Sequence, residues 1–194
     1  MYGQAVGDAL GVPYEFMPRD TFRCEGMTGY GTHNQPIGTW SDDTSMMLAT
    51  LDSLIANEWQ VNTESAITHA HAISMEACSS MVDVLRDGLI KGIWPQELDD
   101  EPLRGMPRDE VGSSGFVKET YEAALWCLAN TDDYASCVLA AVNLGDDTDT
   151  TAAVAGYLAG IKYGFDAIPA QWLAVLRGRE LIEDVLGRTE SAWH

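Results

Sequence analysis

Two acid-rich clusters lie far apart in the chain, Ser41-Asp42-Asp43-Thr44 and Asp146-Asp147-Thr148-Asp149-Thr150, each at the start of an apolar, helix-like segment. A helix N-terminus favours one carboxylate through its free N–H groups and its dipole, and one Asp or Thr suffices to cap it. Five acids at two starts exceed that need. Carboxylates and hydroxyls that converge without positive partners relieve their repulsion most simply by binding hard divalent cations, which take oxygen ligands. Such a set suits a two-metal arrangement that clamps a substrate and activates water. Asp147 and Asp149 would diverge on a regular helix but converge on one ion in a turn leading into it, and adjacent Asp42 and Asp43 need the same setting. The plain alternative is a pair of N-caps. An EF-hand fits poorly: counted from Asp147, its sixth position is Ala152 where Gly is needed, and its twelfth is Leu158 where Glu is needed. The cysteines and His33, His69, His71 and His194 show no zinc-ligand spacing.

These acids need helices to place them. After a Gly- and Pro-containing opening, the turn Pro36-Ile37-Gly38-Thr39-Trp40 leads into a buried-type helix from Thr44 to Ala56, with Asp42 and Asp43 at its mouth. A second helical pattern runs from Ile73 to Ile90, and the Pro- and acid-containing stretch to Gly112 reads as a long loop. Helical patterning resumes from Gly115 to Asn130, and Asp132 or Asp133 can cap a further helix ending near Leu144-Gly145. Thr151 to Tyr163 is rich in Ala and Gly, so another backbone can approach it closely. Pro169 suits the first turn of a last helix through Leu186, with Trp172, Val175, Leu176 and Ile182 as candidate buried positions. With no convincing strand run, the expectation is an all-α domain.

A length of 194 residues with 46% hydrophobic content supports a single domain, 1–194, with a sizeable core. Eleven basic against 30 acidic residues give a formal charge of -19, which argues against binding nucleic acid through its phosphates. Glu97, Asp99, Asp100 and Glu101, with Asp109 and Glu110, read as a solvated loop. The N-terminus lacks a signal-peptide pattern, no segment approaches a membrane span, and Cys24, Cys78, Cys127 and Cys137 read as reduced, buried thiols, so the expected location is cytoplasmic.

Taken together, the motifs resemble the ADP-ribosylglycohydrolase family, the group that includes the dinitrogenase reductase activating glycohydrolases. Gly7-Asp8-Ala9-Leu10-Gly11-Val12-Pro13-Tyr14-Glu15-Phe16 is similar to the family's GDALGxPxEF opening, and Gly38 to Thr44 to its first metal motif. The block Leu144 to Gly164 and the tail Ile168-Pro169-Ala170-Gln171-Trp172 complete the match.

The resemblance implies a compact orthogonal helical domain with a two-metal centre at helix N-termini, holding two divalent cations, magnesium or manganese. It places Ser41, Asp42, Asp43, Asp147, Asp149 and Thr150 at the metal-ligand positions and Glu15 at the active-site glutamate. By itself Glu15 reads equally well as a helix-end carboxylate. Ile67-Thr68-His69-Ala70-His71 resembles a cleft-lining ITHxH segment, although His69 and His71 alone read as hydrogen-bonded residues at a helix start. The turn Gly112-Ser113-Ser114-Gly115-Phe116-Val117 resembles an ADP-ribose-binding turn, whose small residues can offer N–H groups to a diphosphate while Phe116 packs on a base or ribose. In one respect the chain departs from the family. Only Asn57 to Ala66 separates the first metal helix from the ITHxH segment, where family members carry a long stretch with an NGxxMR-like motif.

The implied reaction is hydrolysis of the N- or O-glycosidic bond between ADP-ribose and a modified protein, with Glu15 or a metal-site acid such as Asp43 as general base. A terpene-synthase-type diphosphate lyase also uses two acidic motifs, but its DDxxD spacing is absent here. A metal-dependent ADP-ribose-binding module, its cleft shortened, is the non-enzymatic alternative.

Overall fold

Glycines at positions 3, 7 and 11 would ordinarily weaken a helix. Tyr2–Gly11 nevertheless forms α1, because those glycines let it press backbone to backbone on another helix. The computed structural model describes residues 1–56 and 101–193. Its helices are α1, α2 (Asp42–Ala56), α3 (Val117–Ala129), α4 (Tyr134–Val142), α5 (Thr148–Tyr163), α6 (Ala170–Val175) and α7 (Arg179–Trp193), with a single helical turn at Glu101–Arg104. Among the described residues there is no strand, only an isolated bridge between Tyr30 and Gln35, which matches the all-α expectation.

The seam between α1 and α5 sets the geometry of everything around it. A Cβ on Gly7 would lie 2.0 Å from the Ala152 carbonyl oxygen, and one on Gly11 would lie 2.3 Å from Asp149 Cα. Successive turns of α1 therefore rest directly on successive turns of α5, which carries Asp8 to the side of Asp149. Hydrogen bonds fasten both ends: Tyr134 Oη donates to Gly3 O at 2.7 Å, and Thr148 Oγ1 to Gly11 O at 2.9 Å. Around the seam, Val6, Leu10, Leu128, Val138, Leu158 and Ile182 are fully buried in one apolar cluster.

Several expectations are refined. α2 starts at Asp42, so both acids lie in its first turn rather than before it. Asp133 caps α4, accepting from Ser136 N at 2.8 Å. The opening, to which the sequence pattern assigns no element, contains a largely buried helix, α1. The single last helix expected from Pro169 to Leu186 is two helices. α6 ends at Val175, Leu176 is extended, Gly178 has φ +65°, and α7 continues to Trp193. Trp40 forces the break: its ring packs where a Gly178 Cβ would stand, and its Nε1 donates to Arg177 O at 2.8 Å. Arg177 N donates in turn to Gly38 O at 2.9 Å. Trp172, Leu176 and Ile182 are buried as expected, whereas Val175 is only half-buried.

The helical pattern from Ile73 to Ile90, the first part of the acidic loop, and Cys78 lie outside the described residues. Cys24, Cys127 and Cys137 are free and buried. Among the described residues, no helix is long and apolar enough to cross a membrane.

Candidate metal centre

The first turns of α2 and α5 meet at one carboxylate oxygen. Ser41 Oγ and Thr150 Oγ1 both donate to Asp43 Oδ2, each at 3.2 Å, although they stand more than a hundred residues apart in sequence. Around that junction the acids gather in two groups, Asp8 with Asp43 and Asp149, and Glu15 with Asp147 and Asp149. Within each group one carboxylate oxygen per residue lies within 4.8 Å of the others. Asp149 belongs to both.

Asp8 comes from α1 and is fully buried. Its Oδ1 accepts from Ser41 N at 2.8 Å, and its Oδ2 from Thr44 N at 3.0 Å and Thr44 Oγ1 at 2.5 Å. It thus satisfies free N–H groups at the start of α2 from a different helix, as a capping residue would. The resemblance of Gly7 to Phe16 to the family's opening motif gives Asp8 no task of its own. The available signal was an acid set among Gly, Ala and Leu at a position that must be buried once the glycines are packed.

Electrostatics mark the cluster as uncompensated. Burial, then the charges of Asp8 and Asp42, push the Asp43 carboxyl up to about 7, against a partial offset from the Thr150 hydroxyl. Burial, then Glu15, Asp43 and Asp8, raise Asp149 as well, and burial raises Asp8 despite its hydrogen bonds. Among the described residues, no Lys or Arg forms an ion pair with any of these acids. A compact set of carboxylate and hydroxyl oxygens that has no Lys or Arg partner among the described residues fits hard divalent cations.

The second cluster is held by an unusual backbone. Gly145 and Asp146 both have positive φ, +81° and +60°. Phe16 N donates to Asp146 O at 2.7 Å and Asp146 N to Met17 O at 2.9 Å, which fixes the Glu15 segment against the acids. Arg19 braces the same region. Its guanidinium donates to Leu144 O at 2.7 Å, Arg108 O at 2.6 Å, Val111 O at 2.5 Å and Ser113 Oγ at 3.3 Å.

The 112–117 turn lies beside the acids: Asp147 N donates to Ser113 O at 3.0 Å, and a Cβ on Gly115 would meet Asp147 Oδ2 at 2.9 Å. Ser113 is buried, Ser114, Gly115 and Phe116 are exposed, and Val117 is half-buried. Two N–H groups of this turn already have partners, Ser114 N with Glu119 Oε2 at 3.4 Å and Phe116 N with Ser114 Oγ at 3.3 Å. Of the other residues singled out, Asp42 is exposed on α2 and stands outside both acid groups, and His69 and His71 lie outside the described residues.

Comparison with known proteins places the chain among ADP-ribosylglycohydrolases. A family model described as ADP-ribosylglycohydrolase matches residues 1–76 and 60–193, two pieces whose overlap takes in most of the short Asn57–Ala66 segment. ADP-ribosylarginine hydrolase Tri1 of Serratia proteamaculans (strain 568) is 27% identical over 279 residues, covering 95% of this chain and 76% of that protein. That alignment is longer than this chain, so the relative carries segments that this one lacks. ADP-ribosyl-[dinitrogen reductase] glycohydrolase of Rhodospirillum rubrum is 36% identical over 137 residues, covering 66% of this chain and 46% of that protein. A solved structure described as an ADP-ribosylglycohydrolase-related protein complex superposes with a TM-score of 0.77 at 27% identity, covering 98% of this chain and 95% of that one.

Proposed function

This chain belongs to the ADP-ribosylglycohydrolase family, and from that membership we propose that it is a metal-dependent hydrolase that releases ADP-ribose from a modified protein. The observation that supports the reading most is the convergence of Asp43, Asp147 and Asp149, with Ser41 and Thr150, from helix starts far apart in sequence. Ser41, Asp43, Asp147, Asp149 and Thr150 would hold two divalent cations, Mg2+ or Mn2+, with Asp42 assigned to them by the motif alone. When bound, the cations supply charge that orients the ribose hydroxyls and acidifies a water.

The chain's own groups do the rest. Hydrolysis adds the water oxygen to the ribose carbon and delivers a proton to the departing nitrogen or oxygen of the target. Glu15 is half-buried beside Asp147 and Asp149, on the face where ribose would lie, and is the candidate general base that takes the water's proton. Asp43 is a second candidate base, its oxygen oriented by two hydroxyls. Asp8 holds the start of α2 so that Asp43 faces Asp149. Ser113 to Val117 border Asp147, where they would contact ADP-ribose, and His69 and His71 are assigned to the cleft by the motif alone.

A second reading, an ADP-ribose-binding module with weak or no turnover, draws on the short Asn57–Ala66 separation. Incubating the purified protein with arginine- and serine-linked ADP-ribosylated proteins, with and without Mg2+ or Mn2+, separates the two. Free ADP-ribose supports the hydrolase, and saturable binding without release supports the module.

A further inference from the structure

The acid that would act as base is gripped by a turn no motif included. Residues 30–35 fold into a tight reversal in which Tyr30, Gly31 and Asn34 all have positive φ, +68°, +56° and +52°. A Tyr at positive φ is uncommon and costs about 1–3 kcal/mol, so such a turn persists only where its surroundings require it. The turn is closed by Tyr30 N donating to Gln35 O at 2.5 Å, and it is seated on the segment that carries Glu15. A Cβ on Gly31 would stand 1.9 Å from Pro13 O, which makes the contact backbone to backbone.

Two side chains of the turn reach Glu15 from opposite ends of the residue. Thr32 Oγ1 donates to the Glu15 carbonyl at 2.8 Å. His33 Nε2 hydrogen-bonds Glu15 Oε2. Phe16, itself at φ +66° and 69% exposed, meets the His33 ring edge-on with centroids 5.9 Å apart. A Glu–His pair on an open surface contributes little. This one differs because the Glu15 side chain is only 17% exposed and groups with Asp147 and Asp149, whereas His33 is 40% exposed and stands on the outer side.

We propose that His33 is a positioning residue for Glu15: the 30–35 turn holds the Glu15 carboxylate against the acid centre, with His33 engaging Oε2. The proposal rests on the hydrolase reading for its catalytic consequence, but the placement of Glu15 is independent of it. A carboxylate freed to rotate away from the reacting water loses the alignment on which general-base catalysis depends, and a misplacement of about 1 Å costs up to about a hundredfold in rate.

The test compares His33→Ala, His33→Phe and His33→Gln with the unmodified protein. Gln keeps a donor at the reach of Nε2, while Phe keeps a ring without one. Expected are kcat values about tenfold or more below the unmodified protein for Ala and Phe, KM within about twofold, and recovery of most of kcat by Gln. Equal kcat in the Phe and Gln variants, or an unchanged His33→Ala, would overturn the proposal. A second readout needs no turnover. Crystal structures of the unmodified and His33→Ala proteins should show the Glu15 carboxylate grouped with Asp147 and Asp149 only in the former, and an unmoved Glu15 in the variant refutes the positioning role. If the unmodified protein releases no ADP-ribose, the hydrolase reading fails while the crystallographic arm still decides the role of His33.

Discussion

Replacing Asp43 by Asn should make the metal-free protein more stable near neutral pH and deprive it of metal-dependent stabilisation. Burial and the neighbouring charges of Asp8 and Asp42 raise the folded-state value of Asp43 from 3.8 to about 7. Between those values the folded protein holds a proton that the unfolded chain has released. Stability from this group is therefore fully present below the unfolded value and is lost as pH rises through the folded one. The slope for one such group is about 1.4 kcal/mol per pH unit, so going from about pH 5 to about pH 6.5 removes about 2 kcal/mol. In a chain of this size that corresponds to a fall in Tm of about 4–8 °C. Asn does not titrate, so the Asp43→Asn protein lacks that share of the slope. Thermal melts in EDTA across this range measure the difference, and melts with saturating Mg2+ or Mn2+ should reverse the order, because the cation binds the ionised acid in the folded state. Parallel Tm-against-pH lines for the two proteins, with equal gains from metal, would refute the reasoning.

Other perturbations probe the parts that hold this centre. Gly7→Val drives side-chain atoms into the Ala152 carbonyl, which a Cβ alone would approach to 2.0 Å; a loss of more than about 3 kcal/mol in urea unfolding is expected, and a midpoint unchanged from the parent would contradict the seam. Asp8→Ala leaves the Ser41 and Thr44 N–H groups at the start of α2 without their acceptor, and the same assay should show a cost of about 2–4 kcal/mol. Glu119→Gln removes a carboxylate from the Ser114 N–H and hydroxyl, so calorimetry should find ADP-ribose bound about threefold to tenfold more tightly if its diphosphate takes that place.

The sequence carried the chemistry further than the packing. Two acid clusters in excess of capping needs pointed to convergence, and Asp43 and Thr150 do meet, because a charge excess is a local property that spacing reveals. α3, α4 and α5 followed their apolar periodicity and the Asp133 cap for the same reason. What was not legible depends on partners distant in sequence. α1 breaks the propensity rule, and only the backbone of α5 explains why Gly3, Gly7 and Gly11 are tolerated in it. Asp8 looked idle in its motif because the N–H groups it satisfies lie more than thirty residues away. Trp40 divides α6 from α7 through Arg177 and Gly178, a wedge no helical pattern can announce. His33, lacking zinc spacing, had no reason to be read with Glu15 until the fold set one turn upon the other.

The most direct measurement of the central claim is release of free ADP-ribose from an arginine-ADP-ribosylated protein by the purified chain, in Mg2+ or Mn2+ and in EDTA, alongside a folded Asp147→Asn variant. The account predicts release that requires the cation and is lost in the variant while its melting transition remains cooperative. Full release in EDTA, or undiminished release by Asp147→Asn, would contradict it.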